Sequence, residues 1–252
     1  MTTSDGSSGC PNCGALDAGR YCRACGQDNR RKRLLTRAVL ADALQNLVGW
    51  DTALGRTLIG LAREPGETAA DYVRGRRRRY VNPARFALLS LALWFVLAKL
   101  LGLDPMDLSG LQITTTSGEA ESLVLDIRSF LGRHLELLLY LALPLRALLL
   151  RLFFKSAGRN LAECLVLVLY VAGLGYLAGA LLTPLSLLGL EWTPKLKAVV
   201  VLVWSIWGAR GFFGKSWFAT LWRVLCVTVL HTIGTILFFA LIAVPWVLWG
   251  PA

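Results

Sequence analysis

The chain of 252 residues is 55% hydrophobic and only 17% charged, with a mean hydropathy of +0.55; such a composition excludes an ordinary water-soluble domain and calls for a bilayer. Its 27 Lys and Arg against 16 Asp and Glu leave a formal charge of +11, and 15 of the cations lie in the first 85 residues, a bias that implies both an orientation and an anionic partner. Two His and no dense carboxylate cluster argue against most metal-dependent hydrolases and proton-relay pumps.

Residues 1–9 are small and polar, with neither a basic n-region nor an apolar h-region. No secretory leader is expected there, and the N-terminus is expected in the cytoplasm. The segment CPNCGALDAGRYCRAC follows, with two C-x2-C pairs, Cys10 with Cys13 and Cys22 with Cys25, separated by eight residues. In a reducing compartment these four are better read as metal ligands than as two disulfides. Gly14 and Gly26 directly follow the pairs and let the backbone turn its amides toward the sulfurs. Four thiolates close a tetrahedral shell with no position for water, so the site is read as structural, with zinc the default ion and iron its rival. A peptide this short buries no core of its own. Metal binding would therefore supply its folding free energy, on the order of 10 kcal/mol. The competing reading is four unrelated thiols. Tyr21 is the one stacking aromatic in the segment, which disfavours nucleic acid as its partner. Cys164 and Cys226 lie in apolar stretches and read as inert small hydrophobes. Residues 1–28 thus form an expected zinc ribbon.

Residues 29–82 form a basic, amphipathic approach to the membrane. After Arg30, Arg31, Lys32 and Arg33, the residues Leu40, Ala43, Leu44, Leu47 and Val48 fall on one helical stripe, and Leu54, Leu58 and Leu61 make a second set that stops at Glu64, Pro65 and Gly66. Two short helices are expected along the cytoplasmic membrane surface or packed on the bundle, with Trp50 at headgroup level; a small soluble helical hairpin is the alternative. Arg74, Arg76, Arg77, Arg78 and Arg79 then make a collar bracketed by Tyr72 and Tyr80. They are candidate contacts for anionic lipid headgroups, at about 1 kcal/mol each, or else a topology signal alone. Asn82 is placed to cap a helix that Pro83 begins.

Residues 83–252 read as a transmembrane helical bundle with spans at about 86–103, 134–154, 161–182, 192–208 and 224–249, each roughly 17 to 25 residues long. The expected fold is therefore an all-α polytopic membrane protein of about five helices carrying a small N-terminal ribbon. The acidic loop 104–133 is expected outside and the Arg151, Lys155 and Arg159 turn inside. Arg146 is expected to reach the same inner interface along its stem. The fourth span is the weakest, since Lys195 and Lys197 must snorkel. Gly175 and Gly179 form a GxxxG where a neighbouring helix can approach closely. Pro144 and Pro245 free backbone carbonyls and are expected to kink their helices. Glu163 is expected near the inner interface. His231, among Thr228, Thr232 and Thr235, either bonds neutrally to a Thr or a carbonyl or lines a polar path.

The order CPNCG, YCRACGQ, RTLIGLAREPG and YVRGRRRRYVNPARF, leading into several spans, resembles the uncharacterised bacterial membrane-protein family known as domain of unknown function 3667. The resemblance covers about the first hundred residues. It implies an inner-membrane protein with a cytoplasmic zinc ribbon, with Cys10, Cys13, Cys22 and Cys25 as ligands, and it brings no reaction, substrate or catalytic residue.

The favoured function is a non-enzymatic adaptor or scaffold whose ribbon and collar contact a partner protein or anionic lipid, with the N-terminus cytoplasmic and the C-terminus periplasmic or extracellular. The alternative is a transporter, channel or lipid-translocating protein using His231, its threonines, Glu163 and the glycine face of the third span. A membrane enzyme ranks last, since no paired acid and base, nucleophile elbow, phosphate loop or open metal triad is visible. Nucleic acid is not expected as a partner, and an oligomer is compatible with the sequence.

Overall fold

The computed structural model describes residues 9–10, 12–16, 20–27, 52–105, 108, 121–189 and 192–249, and the regular elements among them are helical. The stripe from Leu40 to Val48 and the Trp50 anchor lie outside these residues. Helix α1 spans Thr52–Arg63 and α2 spans Pro65–Arg74. Leu61 on α1 is fully buried, with Leu54 and Leu58 packed beside the core, so the expected stripe faces the bundle. The triplet Glu64, Pro65 and Gly66 reads from sequence as a stop, but it is also a start. Pro65 ends the α1 hydrogen-bond ladder for want of an N–H and supplies the fixed φ suited to a first helical turn. Helix α2 is the more deeply set of the two: Pro65, Gly66, Thr68, Ala69, Ala70, Asp71 and Tyr72 are all buried. Gly75, at φ +112°, terminates it, its N–H bonding to Tyr72 O at 3.2 Å.

A 3-10 turn at Arg77–Arg79 and an extended stretch through Asn82 lead into α3, Pro83–Leu100. Asn82 Oδ1 accepts from the N–H groups of Ala84 and Arg85 at 2.9 and 3.3 Å, which is the expected cap.

The expected second span differs from its outline. The helix starts earlier, as α4 over Glu121–Leu141, and breaks at Ala142 before α5, Leu143–Phe153. Pro144 lacks the N–H that would bond back to the Tyr140 carbonyl, and the helix lapses there at the single residue Ala142, beside the position where a kink is expected. Part of the expected acidic loop is therefore helical. Helix α6 covers Leu161–Ser186, α7 Thr193–Phe213 and α8 Trp217–Trp249. Helix α7 runs past the expected 208 because Arg210 does not interrupt it. The guanidinium lies 4.4 Å from the Trp217 ring centroid, and the helix ends where Gly214 turns at φ +62°.

Four helical stretches are long and apolar enough to cross a membrane by length and composition, at Arg77–Leu100, Leu161–Ser186, Thr193–Phe213 and Trp217–Ala243. The broken α4 and α5 pair runs alongside them. Helix α6 is the hub, with 72% of its apolar stretch inside the protein against 11% for α8. The α8 residues Phe218, Trp222, Val229, Ile233, Leu237 and Leu241 are exposed. An outward row of that length suits a membrane-spanning helix that faces hydrocarbon.

The packing of α2 on α7 leaves no room for side chains at the crossing. A Cβ on Gly66 would meet the Gly208 carbonyl oxygen and stand 2.6 Å from Phe212 N and 2.8 Å from Gly211 Cα, and backbone cannot yield as a side-chain tip can. Gly66→Ala is expected to lower stability by about 1–3 kcal/mol, read as earlier thermal unfolding of the purified protein. Gly55→Ala in α1, where nothing lies within 4 Å, should leave stability unchanged or slightly raised.

Candidate metal centre and its seat on the bundle

Each C-x2-C pair folds into the same knuckle. Gly14 N–H bonds to Cys10 O at 2.8 Å and Gly26 N–H to Cys22 O at 2.7 Å, with the glycines at φ +78° and +68°, a region that disfavours a side chain. Cys10 N–H bonds to Ala15 O, and Cys22 N–H to Gln27 O, both at 2.8 Å. The two turns bring the four sulfurs within 4.8 Å of one another. Cys10 and Cys25 Sγ lie 3.6 Å apart and Cys13 and Cys22 Sγ 3.7 Å apart. A disulfide would require about 2.05 Å. A tetrahedron built on a metal–sulfur bond of about 2.3 Å has an edge near 3.8 Å, so these thiols can hold a metal ion.

The cluster also divides its protons unevenly. Burial opposes ionisation of Cys25, but hydrogen bonds from Asn12, the Gln27 backbone and the neighbouring thiols outweigh it and bring the pKa down to about 6. At Cys13 the Ala15 amide favours the thiolate, yet sharing with Cys25, desolvation and the other two thiols push the pKa up to about 12. One thiolate thus forms readily and the next only with difficulty, and a bound cation removes this conflict by replacing the shared protons.

The module sits on the collar. Arg78 N–H donates to Gln27 Oε1 at 3.2 Å, and the Arg78 guanidinium lies over Gly26, where a Cβ would come within 2.9 Å of it. The collar is fastened in turn by Asp71 on buried α2. Arg74 donates to Asp71 Oδ1 at 2.8 Å and Arg76 to Oδ2 at 2.9 Å, while Tyr80 OH donates to Oδ2 at 3.4 Å. Arg74 also reaches Glu67 at 2.7 Å. Arg79 lies over the Tyr80 ring at 5.6 Å. The five collar arginines are therefore not one free basic face, since Arg74 and Arg76 already have protein carboxylates.

Beyond the collar the extended segment is held from three helices. Val81 N–H donates to Thr57 Oγ1 of α1 at 2.9 Å, Tyr170 OH of α6 to Val81 O at 2.7 Å, and Tyr140 OH of α4 to Ala84 O at 2.9 Å. Gly175 and Gly179 of α6 both admit α7. A Cβ on Gly175 would come within 2.8 Å of Val201, and one on Gly179 within 3.2 Å of Lys197 and of Trp94 of α3. Glu163 forms a capping box with Asn160 and lies 3.9 Å from Arg159, so its burial has a structural cause. His231 Nε2 lies 3.1 Å from Ala142 O, at the break between α4 and α5. It bonds to a carbonyl there rather than to its threonines. Arg146 does not extend along its stem to the inner interface; its Nη2 donates to Ser205 Oγ of α7 at 2.9 Å.

Sequence reasoning passed over Asp71, Gln27, Thr57 and Tyr170. Asp71 had a signal, as an acid three residues before Arg74, a spacing that puts the two on one helix face.

Residues 51–95 match the family model described as Protein of unknown function (DUF3667). The resemblance read from the sequence is borne out over that stretch. The match spans α1, α2, the collar and most of α3, and the cysteines lie outside it. No curated protein and no solved structure matches the chain.

Asp71→Asn keeps the side-chain shape but halves its capacity to accept from two guanidiniums and a phenol. Because both arginines are about half exposed, a moderate loss of about 1–2 kcal/mol is expected. It should appear as faster proteolytic cleavage between Gly75 and Tyr80 with the α3 to α8 bundle intact.

Proposed function

We propose that this protein is a membrane-anchored adaptor, in which a zinc-loaded cytoplasmic ribbon is presented to a partner protein from a rigid seat on an inner-membrane helical bundle. The observation that carries this reading is the joint between Gln27 and Arg78. From Arg78 the contacts continue along the collar to Asp71 of α2, and through Val81 to α1 and α6. A module seated through Gln27 and Gly26 presents its other residues outward. Leu16 is 82% exposed and Tyr21 is 55% exposed, with Arg20 over the Tyr21 ring at 5.3 Å. An exposed aromatic beside a cation, with an exposed leucine in the same module, is a composition that protein interfaces favour. Zinc is the ion proposed because a closed four-thiolate shell without an open position suits a structural ion. The basic excess on the ribbon side is the basis for placing that side in the cytoplasm. Arg77, Arg78 and Arg79 keep the collar cationic near the headgroups, after Arg74 and Arg76 are committed to Asp71.

A second reading, a transporter or lipid-translocating protein, is favoured by one feature, the Arg146 to Ser205 bond inside the bundle. A guanidinium at membrane depth carries a penalty of several kcal/mol and marks a functional position by default. The cavity beside it is only about 10 Å³, about the space of one water, so a solute would need a different arrangement of α5, α7 and α8.

Two measurements separate these readings. Full-length protein should bind about one zinc per chain by elemental analysis, and Cys10→Ser with Cys22→Ser should abolish it. Proximity labelling from the N-terminus should enrich a discrete partner that is lost in Leu16→Glu with Tyr21→Glu while zinc is retained. If proteoliposomes instead scramble lipid or pass anions, and Arg146→Gln removes that flux, the adaptor reading fails.

A further inference from the structure

The turn between α5 and α6 gathers a second basic site, separate from the collar and independent of the adaptor reading. Two clefts meet at Gly158 and Arg159. One, of about 430 Å³, is bounded by Ser156, Phe213 and Lys215; the other, of about 520 Å³, by Arg151, Lys155 and Leu148. Both volumes fall in the range of small-molecule sites.

The charge balance is one-sided. Arg151, Lys155, Arg159 and Lys215 face a single acid, Glu163, and that carboxylate is already engaged by the Asn160 backbone in its capping box. Among the described residues no ion pair is made by Arg151, Lys155 or Lys215, whereas collar residues Arg74 and Arg76 have Asp71. Arg159 is held in place over the Phe212 ring at 4.7 Å, with a bond to the Phe212 carbonyl at 3.5 Å and Glu163 at 3.9 Å; this one carboxylate leaves the cluster a net positive charge beside a guanidinium of fixed position.

The surroundings specify an amphiphile rather than a soluble anion. Trp217 and Trp222, both 54% exposed, lie at the start of α8, with Arg210 beside Trp217, and such aromatics sit at headgroup level. From Arg151 and Lys155, the exposed Leu152 and Leu148 descend one face of α5, a turn apart. Cations above and an apolar track below match a phosphate joined to an acyl chain.

We propose that the α5–α6 turn binds an anionic phospholipid, its phosphate held by Arg151, Lys155 and Arg159, its headgroup extending toward Lys215 and one acyl chain lying along Leu152 and Leu148. Basic recesses between helices at the membrane surface are suited to this ligand class.

The experiment uses the full chain in phosphatidylcholine nanodiscs carrying a minority of phosphatidylglycerol, with lipid retained on release scored by native mass spectrometry. The wild type should retain phosphatidylglycerol over phosphatidylcholine. Arg151→Gln with Lys155→Gln should lower that preference by about tenfold or more, and the charge-conserving Arg151→Lys with Lys155→Arg should keep most of it. Lys215→Gln, a milder change on the other side of Arg159, should lower it severalfold, while Lys99→Gln at the far end of α3 should not alter it. Equal retention of both lipids by the wild type overturns the proposal. So does an equal loss in Lys99→Gln, or displacement of the retained lipid by inorganic phosphate or glycerol phosphate, since either soluble anion would then be the ligand.

Discussion

One buried carboxylate organises the entrance to the membrane. Asp71 is the acceptor shared by Arg74, Arg76 and Tyr80, and it stands on a helix whose inner face contacts α7 without intervening side chains. A carboxylate withdrawn from water is tolerated only where its lone pairs are occupied. Here they are occupied by the residues that begin the collar. The run of arginines would otherwise repel itself into an open chain. With Asp71 at its root it closes into a 3-10 turn that can receive the cysteine module through a main-chain N–H. Charge compensation inside the protein thus determines where the four-cysteine cluster sits outside it.

The bundle obeys a related rule. Polar groups at membrane depth are costly without partners inside the protein; hydroxyls such as Ser90 and Thr183 bond back to carbonyls of their own helices, and four longer side chains act where the helices are interrupted. Tyr170 and Tyr140 place hydroxyls on the carbonyls of Val81 and Ala84 at the entry to α3. His231 bonds to the Ala142 carbonyl at the gap between α4 and α5, which makes its Nε2 a donor. Arg146 binds Ser205 one turn beyond the same gap. The irregular points of the fold are therefore joined to one another by aromatic and cationic side chains, while the regular helix α6 between them is packed through Gly173, Gly175 and Gly179.

Local chemistry was legible in the sequence and tertiary partnership was not. The doubled C-x2-C-G spacing gives two knuckles whose glycines occupy the positive-φ positions, because turn geometry depends on a handful of neighbours. The Asn82 and Pro83 cap and the apolar spans were readable for the same reason. The second span was misjudged in outline, since hydropathy measures apolar composition and the helix begins in the polar stretch from Glu121, whereas the lapse beside Pro144 follows from its missing N–H and was readable. Helix α2 was missed because its ten residues, PGETAADYVR, are mostly small or polar and form no apolar stripe that would announce a buried helix. They are buried because small residues let two backbones approach, a property of the pair of helices rather than of either sequence. The arginines Arg74 and Arg76 looked free for lipid for want of the same information: the spacing of Asp71 and Arg74 signals a pair on one helix face, but not that Asp71 is buried and takes Arg76 and Tyr80 as well.

The family match over residues 51–95 falls on the segment where these couplings concentrate. Four constraints coincide there: the glycine contact of α2, the Asp71 cluster, the Thr57 bond to Val81, and the Asn82 cap. Each restricts residue type for a reason that local propensity does not supply, and together they fix the direction in which α3 enters the bundle. The cysteine module is connected to this junction at few points, through Gln27 and the packing of Arg78 on Gly26. A knuckle closed by its own turns, and by a metal ion where its four thiols hold one, asks of its support only a donor at the right place and a clear surface for glycine. The junction is therefore the part of the molecule whose sequence is most tightly bound to its structure, and the module is the part free to present a chosen face.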